Sequence, residues 1–264
     1  MQDAFRNKWP LLLLTGFILI ALTSACGPAS TCITAGGSTT VQPLAEKWAE
    51  KFEAKSTDVD VIVQGGGSSA AVKGVAQGIF DIGTASRELK SSETSQWPDL
   101  VTYHVALDAI AIVVHPSNTT ANLSLKELRD IFATGSNATW TVLNREEGSG
   151  TRDNFEEKVM GNTEVSLNSE FLPAAGAIKQ KVANTTSAIS YISLGYVDAS
   201  VKALTIDGTA CTKDNCRNGS YPISRYLNFI TKGEPGGLVK TFIDFCLSSE
   251  GQKLVEEEGY ISVK

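Results

Sequence analysis

Histidine is nearly absent: His104 and His115 are the two in 264 residues, and no Cys-x-x-Cys occurs anywhere. A metal centre needs several such ligands at close spacing, so no metal is expected. Positive charge is in deficit as well, 23 Lys and Arg against 29 Asp and Glu, a net charge of −6. Nucleic acid is therefore not an expected partner. No stretch carries the Gly-x-x-x-x-Gly-Lys-Ser/Thr of a nucleotide loop, and none keeps Gly-x-Gly-x-x-Gly in the setting a dinucleotide requires. No cofactor is expected. Internal repeats and low-complexity segments are missing, and the apolar run Leu11 to Leu22, at twelve residues, is short for a membrane span.

What the chain does have is one type of turn, three times over. Trp140-Thr141-Val142-Leu143 leads into Asn144-Arg145-Glu146-Glu147-Gly148-Ser149-Gly150-Thr151 and then the helix-like Phe155 to Met160. Ile33-Thr34-Ala35 leads through Gly36-Gly37-Ser38-Thr39-Thr40 into a helical pattern from Val41 to Phe52. Val59 to Val63 leads through Gln64-Gly65-Gly66-Gly67-Ser68-Ser69 into another from Ala70 to Gln77. Each reads as strand, glycine turn, helix start. Glycines leave backbone N–H groups exposed, Thr151 is a suitable N-cap, and a helix N-terminus carries partial positive charge. Such ends bind anions. Arg145 adds a planar fork of donors. An acidic protein that binds an anion does so through such local groups, not its overall field.

The first residues read as an export signal. Arg6 and Lys8 precede the apolar run, and Ser24-Ala25 lead to Cys26. A Cys after small residues resembles the lipobox of prokaryotic lipoproteins, although Leu22 lies one position too far upstream. Residues 1–25 are thus expected to be a signal peptide and Cys26 a lipidation site, with an ordinary signal or an uncleaved anchor as alternatives. The mature chain of about 239 residues would carry 21 basic and 28 acidic side chains, enough length for one large or two medium domains. In an oxidising exterior, Cys211 and Cys216 are expected to close a small loop. Cys32 either pairs with Cys246 or both stay as buried thiols. Sequons stand at Asn118, Asn122, Asn137, Asn184 and Asn218, usable sites or chance occurrences.

Short apolar runs alternate with helical patterns over residues 32 to 90, as βα units of an α/β protein with mainly parallel sheets would. Val105 to Val114 and Tyr221 to Ile230 are long extended stretches, expected to cross between domains. One lobe would then comprise 32–114 plus 221–264 and the other 115–220. Leu238 to Glu257 reads as one helix with Val239, Phe242, Ile243, Cys246 and Leu247 on its apolar face. Trp48, Trp97 and Trp140 read as packing residues, Asp81 as a turn-ordering carboxylate, and Glu256-Glu257-Glu258 as a solvated helix end.

Ala35 to Pro43, Gly67-Ser68-Ser69 leading to Val72-Lys73, Asp81-Ile82-Gly83-Thr84-Ala85-Ser86-Arg87, Gly148-Ser149-Gly150-Thr151 and Ser248 to Gln252 together resemble the phosphate-binding proteins of phosphate-specific ABC importers, class II periplasmic-type solute-binding proteins. The resemblance implies two α/β lobes closing over one dehydrated phosphate, an extracytoplasmic monomer at the outer face of the membrane, and a permease partner. Thr39 and Thr40, with Ser38 beside them, look like the first-loop donors and Ser68 the second. Arg145, Ser149, Gly150 and Thr151 look like contacts from the opposite lobe. Ser86 departs from the family's best-known pattern, which has an Asp there to accept phosphate's proton, and Arg87 beside it adds positive charge. Asp153 is then expected either to replace that acceptor or simply to complement its helix N-terminus. The rival readings are a binder of sulfate or molybdate and a serine hydrolase. The second is disfavoured because neither Ser149 nor Ser68 lies in Gly-x-Ser-x-Gly.

Overall fold

The computed structural model describes residues 32–56 and 58–264. The expected signal peptide and Cys26 lie outside the described residues. In chain order, β1 (Cys32–Gly37), α1 (Gln42–Glu53), β2 (Asp60–Gly65), α2 (Ser68–Ala76) and β3 (Ile82–Ala85) form the βα series anticipated from the alternating pattern. The short α3 (Ser91–Gln96) precedes β4 (Leu100–Val114), which is followed by β5 (Asn122–Leu123), α4 (Leu125–Thr134), β6 (Thr141–Arg145) and α5 (Gly150–Phe155). α5 runs on as a π-helical turn over Glu156–Met160. Then come β7 (Glu170–Leu172), α6 (Ala175–Ala183), β8 (Ala188–Ser193), β9 (Lys202–Ala203), β10 (Thr205–Ile206), α7 (Lys213–Arg217), β11 (Ser224–Lys232), α8 (Gly237–Cys246) and α9 (Ser249–Glu257).

The strands line up as β2-β1-β3-β11-β4-β8-β6-β7. β1 pairs in parallel with β2 and β3, and β6 in parallel with β7 and β8, as βα connections require. β4 and β11 run antiparallel to their neighbours. β4 belongs to both halves: Leu100 to Ala109 pair with β11, while Ile110 to Val114 pair with β8. The buried core changes at the same place. Val105 and Ala106 pack with Trp48, Phe229 and Phe242, whereas Ala109 and Ile110 pack with Phe132, Phe155 and Tyr191. On β11 the change falls between Ile223 and Leu227. The fold is therefore α/β with two lobes strung on two shared strands.

Some expectations fail for local reasons. The tail is two helices, not one, because Ser248 takes the N-cap position and accepts the Gly251 N–H at 3.1 Å. Phe242, Ile243 and Cys246 still face the core. Cys211 and Cys216 are thiols, not a bridge: α7 sets them side by side in a hydrogen bond that, with burial, pushes the Cys211 thiol up. Cys246 is likewise a free, fully buried thiol, so it forms no bridge with Cys32. Trp48 is a packing residue whose Nε1 donates to the Gly251 carbonyl at 2.8 Å. Asp81 reaches further than its own turn, accepting from both the N–H and the hydroxyl of Thr34 at 2.8 Å. Glu256 is not merely solvated, since it binds Lys213 and Arg217.

Candidate anion site between the lobes

Each anticipated turn lands where the lobes meet. Gly37 ends β1 with φ +136°, and a Cβ there would stand 2.3 Å from that of Ala71 and 2.5 Å from the Thr84 carbonyl. Only glycine fits, and the tight turn points Ser38, Thr39 and Thr40 at the cleft. The Ser38 hydroxyl accepts the Thr40 N–H at 3.2 Å, so its oxygen shapes the loop. Ser68 opens α2, and its hydroxyl accepts the Ser86 N–H at 3.0 Å and lies 3.4 Å from the Ser86 hydroxyl. From the other lobe, Arg145 ends β6 and Ser149 caps α5, accepting the Arg152 N–H at 3.3 Å. The cap is therefore Ser149 and not Thr151, which is the second helical residue. Gly150 and Thr151 at the first two helical positions have N–H groups with no acceptor inside the helix.

These pieces touch across the cleft. The Thr40 and Thr151 hydroxyls are 2.9 Å apart, and Arg145 Nη2 donates to the Thr39 hydroxyl at 3.0 Å. The Ser69 N–H donates to the Gly148 carbonyl at 3.1 Å. Asn154 donates to the Ser86 carbonyl at 3.0 Å, and the Tyr196 hydroxyl to the Thr39 carbonyl at 2.6 Å. Ser38, Thr40, Ser68, Ser86, Arg145, Ser149 and Thr151 are each no more than 2 % exposed. Arg145 gives Nε and Nη2 to the Glu146 carboxylate at 2.7 and 2.8 Å, and its Nη1 bonds no described residue. One free guanidinium nitrogen thus stands among hydroxyls and helix-end N–H groups, a donor-rich enclosure that suits a small oxyanion.

Arg87 is not part of this cluster. Its Nη atoms donate to both Glu93 oxygens at 2.7 Å, to Ser69 at 3.1 Å and to the Glu88 carbonyl, while its Nε stands 2.7 Å from Asp153 Oδ2 as an ion pair without hydrogen-bond geometry. Asp153 is taken in turn by Arg87 and by Lys90 at 3.0 Å. Its carboxylate is therefore committed to two cations rather than aimed at the hydroxyls, against the expectation that it replaces the missing acceptor. Glu93's carboxyl is pushed up by burial but pulled further down, below its ordinary range, by Arg87 and the Lys90 N–H. Glu146, Asn154 and Tyr196 went unnoticed in the sequence. Glu146 had a signal, an acid next to the arginine, while the other two are joined to the site only by the fold. The histidines stay apart: His104 bonds Asn228 and stacks on Tyr226, and His115 bonds Ser117.

A sequence model of the PBP superfamily domain matches residues 23–250. The chain is 34 % identical to the phosphate-binding protein PstS of Bacillus subtilis, with 98 % of this chain and 95 % of that one covered. It belongs to the phosphate-binding proteins of this superfamily. The backbone agrees with solved members. A structure from Clostridium perfringens, described as a phosphate ABC transporter substrate-binding protein with bound phosphate, superposes with a TM-score of 0.84 at 39 % identity over 89 % of this chain and all of that one. An ABC-type phosphate transport receptor from Vibrio cholerae gives 0.72 at 33 % identity, covering 87 % of this chain and 99 % of that one.

Proposed function

We propose that this protein captures inorganic phosphate between its lobes, outside the cytoplasm, and delivers it to the membrane permease of an ABC importer. The observation that carries this is the convergence of hydroxyl, N–H and guanidinium donors from both lobes around Arg145. Ser38, Thr39, Thr40, Ser68, Ser86, Arg145, Ser149, Gly150 and Thr151 surround the ligand. Arg87 stands behind them. We place the lobe boundary where the core changes, near Leu107–Asp108 on β4 and Arg225–Tyr226 on β11, earlier on β4 than the expected 114/115 division. The protein acts as a monomer held to the membrane by lipid on Cys26, and it binds phosphate without converting it.

The test is thermal. Ligand that binds only the native state stabilises it by about 4 kcal/mol at roughly 1,000 times its dissociation constant. For a chain of this size each kcal/mol raises Tm by roughly 2–4 °C. Phosphate-stripped protein should therefore melt well above its baseline in millimolar phosphate, and an unchanged Tm refutes the reading. Sulfate belongs in the same experiment for a specific reason. The carboxylates near the cleft, Glu146 and Asp153, are both held by cations, so sulfate meets no free carboxylate among the described residues. A larger shift with sulfate than with phosphate would reassign the ligand.

A further inference from the structure

Arg87 and Asp153 raise a question that the anion site leaves open: a nearly buried ion pair bridges the lobes without joining the donor cluster. Arg87 follows β3 in one lobe, and its guanidinium is fixed there by a two-pronged pairing with Glu93 and by Ser69. The six-residue α3 starts at that contact, because Glu93 also accepts the Lys90 N–H at 2.8 Å and so ties the helix entry to its own carboxylate. All of these partners belong to the same lobe, so the cation is held in place whether or not the other lobe is near. Asp153 comes from α5 in the opposite lobe and reaches Arg87 Nε at 2.7 Å and Lys90 Nζ at 3.0 Å. The Arg87 side chain is 4 % exposed and that of Asp153 22 %. Asp153 and Lys90 border two surface grooves, of about 900 and 660 Å³, so the bridge closes the space between them.

We propose that Asp153 is a closure latch: it seats on the preset Arg87–Glu93 pair and on Lys90 only when the lobes are together, and so sets how long bound phosphate is retained. This rests on the phosphate reading above for its ligand, though not for its geometry. A contact made only after closure slows opening and leaves capture untouched, so its signature is a change in release with no change in association. Asp153 also lies two residues beyond Thr151, yet its oxygens face cations, so it contributes retention and not ligand choice.

The experiment compares wild type, Asp153→Asn and Lys90→Gln by stopped-flow association and release of phosphate, by competition with sulfate, and by small-angle scattering of ligand-free protein. Asp153→Asn should release phosphate about tenfold faster, equivalent to roughly 1.4 kcal/mol, with unchanged association and an unchanged phosphate-to-sulfate preference. Its ligand-free radius of gyration should exceed that of wild type. Lys90→Gln, half-exposed and safe for folding, should show a smaller change in the same direction, about threefold, and serves alone if the first variant misfolds. Wild-type release rates in the variants overturn the latch. So does a shifted phosphate-to-sulfate preference, which would place Asp153 on the ligand. If wild type binds no phosphate, the functional reading falls and scattering decides the latch: identical profiles for wild type and Asp153→Asn reject it.

Discussion

Arg145 is the charge in the cleft for which no neighbour can substitute, because Arg87 is spent on Glu93 and Asp153, and Arg152 pairs with Glu156 at 2.7 Å. Removing it leaves the Glu146 carboxylate, 26 % exposed, facing an incoming anion. Breaking one side of a buried pair costs about 3–5 kcal/mol. Arg145→Ala should therefore weaken phosphate binding by roughly 10²–10³-fold in calorimetry, and a loss under about threefold would move the site elsewhere. Arg145→Lys keeps the charge but not the fork and should fall between the two. At this scale the sequence was legible where chemistry sits on a turn that glycine marks, as with Thr39, Thr40, Ser68, Arg145 and Ser149. It was not legible where a side chain's role depends on a distant partner. Arg87 and Asp153 both looked like ligand groups from their neighbours in the chain, and each is captured by the other across 66 residues.

Among the elements, α5 carries the tightest steric demand. A Cβ on Gly150 would lie 2.3 Å from the Ser68 hydroxyl and 2.8 Å from that of Ser86, both on the opposite lobe. Its own lobe does not need glycine there, since φ is ordinary for a helix. Gly150→Ala should thus fold normally, keep its ligand-free stability within about 1 kcal/mol of wild type, and lose most of the phosphate-induced Tm shift. A full shift in that variant would mean that the lobes need not meet at this point. The strand-turn-helix order around α5 could be read from the sequence because apolar period and glycine agree. The exact cap could not, because Ser149 and Thr151 flank Gly150 and only packing chooses between them. The tail misled for a related reason: α8 and α9 continue one apolar face, while Ser248 interrupts the backbone. Ser248→Ala should cost about 1 kcal/mol in denaturant unfolding with no effect on phosphate.

For the whole molecule, stability should form a plateau bounded on both sides by buried titrating groups. Glu93's carboxyl is held below its ordinary range by Arg87, so the stability it adds is present above that range and lost as pH falls through it. On the alkaline side, burial pushes the Tyr196 hydroxyl up to about 12, against which Arg145 works only partly, and Tyr191, Tyr221 and Tyr260 are raised as well. A raised tyrosine adds stability that is complete below the unfolded value near 10 and lost as pH climbs through the folded one. Thermal melts should therefore stay level from about pH 6 to pH 9 and drop steeply between roughly pH 10 and 12. A plateau reaching pH 12 would mean that these hydroxyls are solvated.

The two shared strands are themselves bound by charge. Asp108 on β4 accepts Arg225 Nε and Nη2 from β11 at 3.1 and 2.9 Å, and also the Ser193 hydroxyl at 2.7 Å and the Leu194 N–H at 3.2 Å. Both side chains are at most 2 % exposed. Burial pushes the Asp108 carboxyl up and the Arg225 guanidinium down, each opposed by the other partner, so neither charge would be tolerated here alone. The pair lies where the core of one lobe gives way to that of the other, so it pins the two shared strands together at that point. Asp108→Asn leaves Arg225 buried and unmatched and should cost about 3–5 kcal/mol. Replacing both, as Asp108→Leu with Arg225→Met, removes the stranded charge and should recover most of that loss. It also frees the crossings to slide on one another, so the double variant should regain Tm while showing a wider spread of interlobe distances in small-angle scattering. Recovery of both Tm and the wild-type scattering profile would show that the pin is not electrostatic and that the β4–β11 ladder alone fixes the hinge.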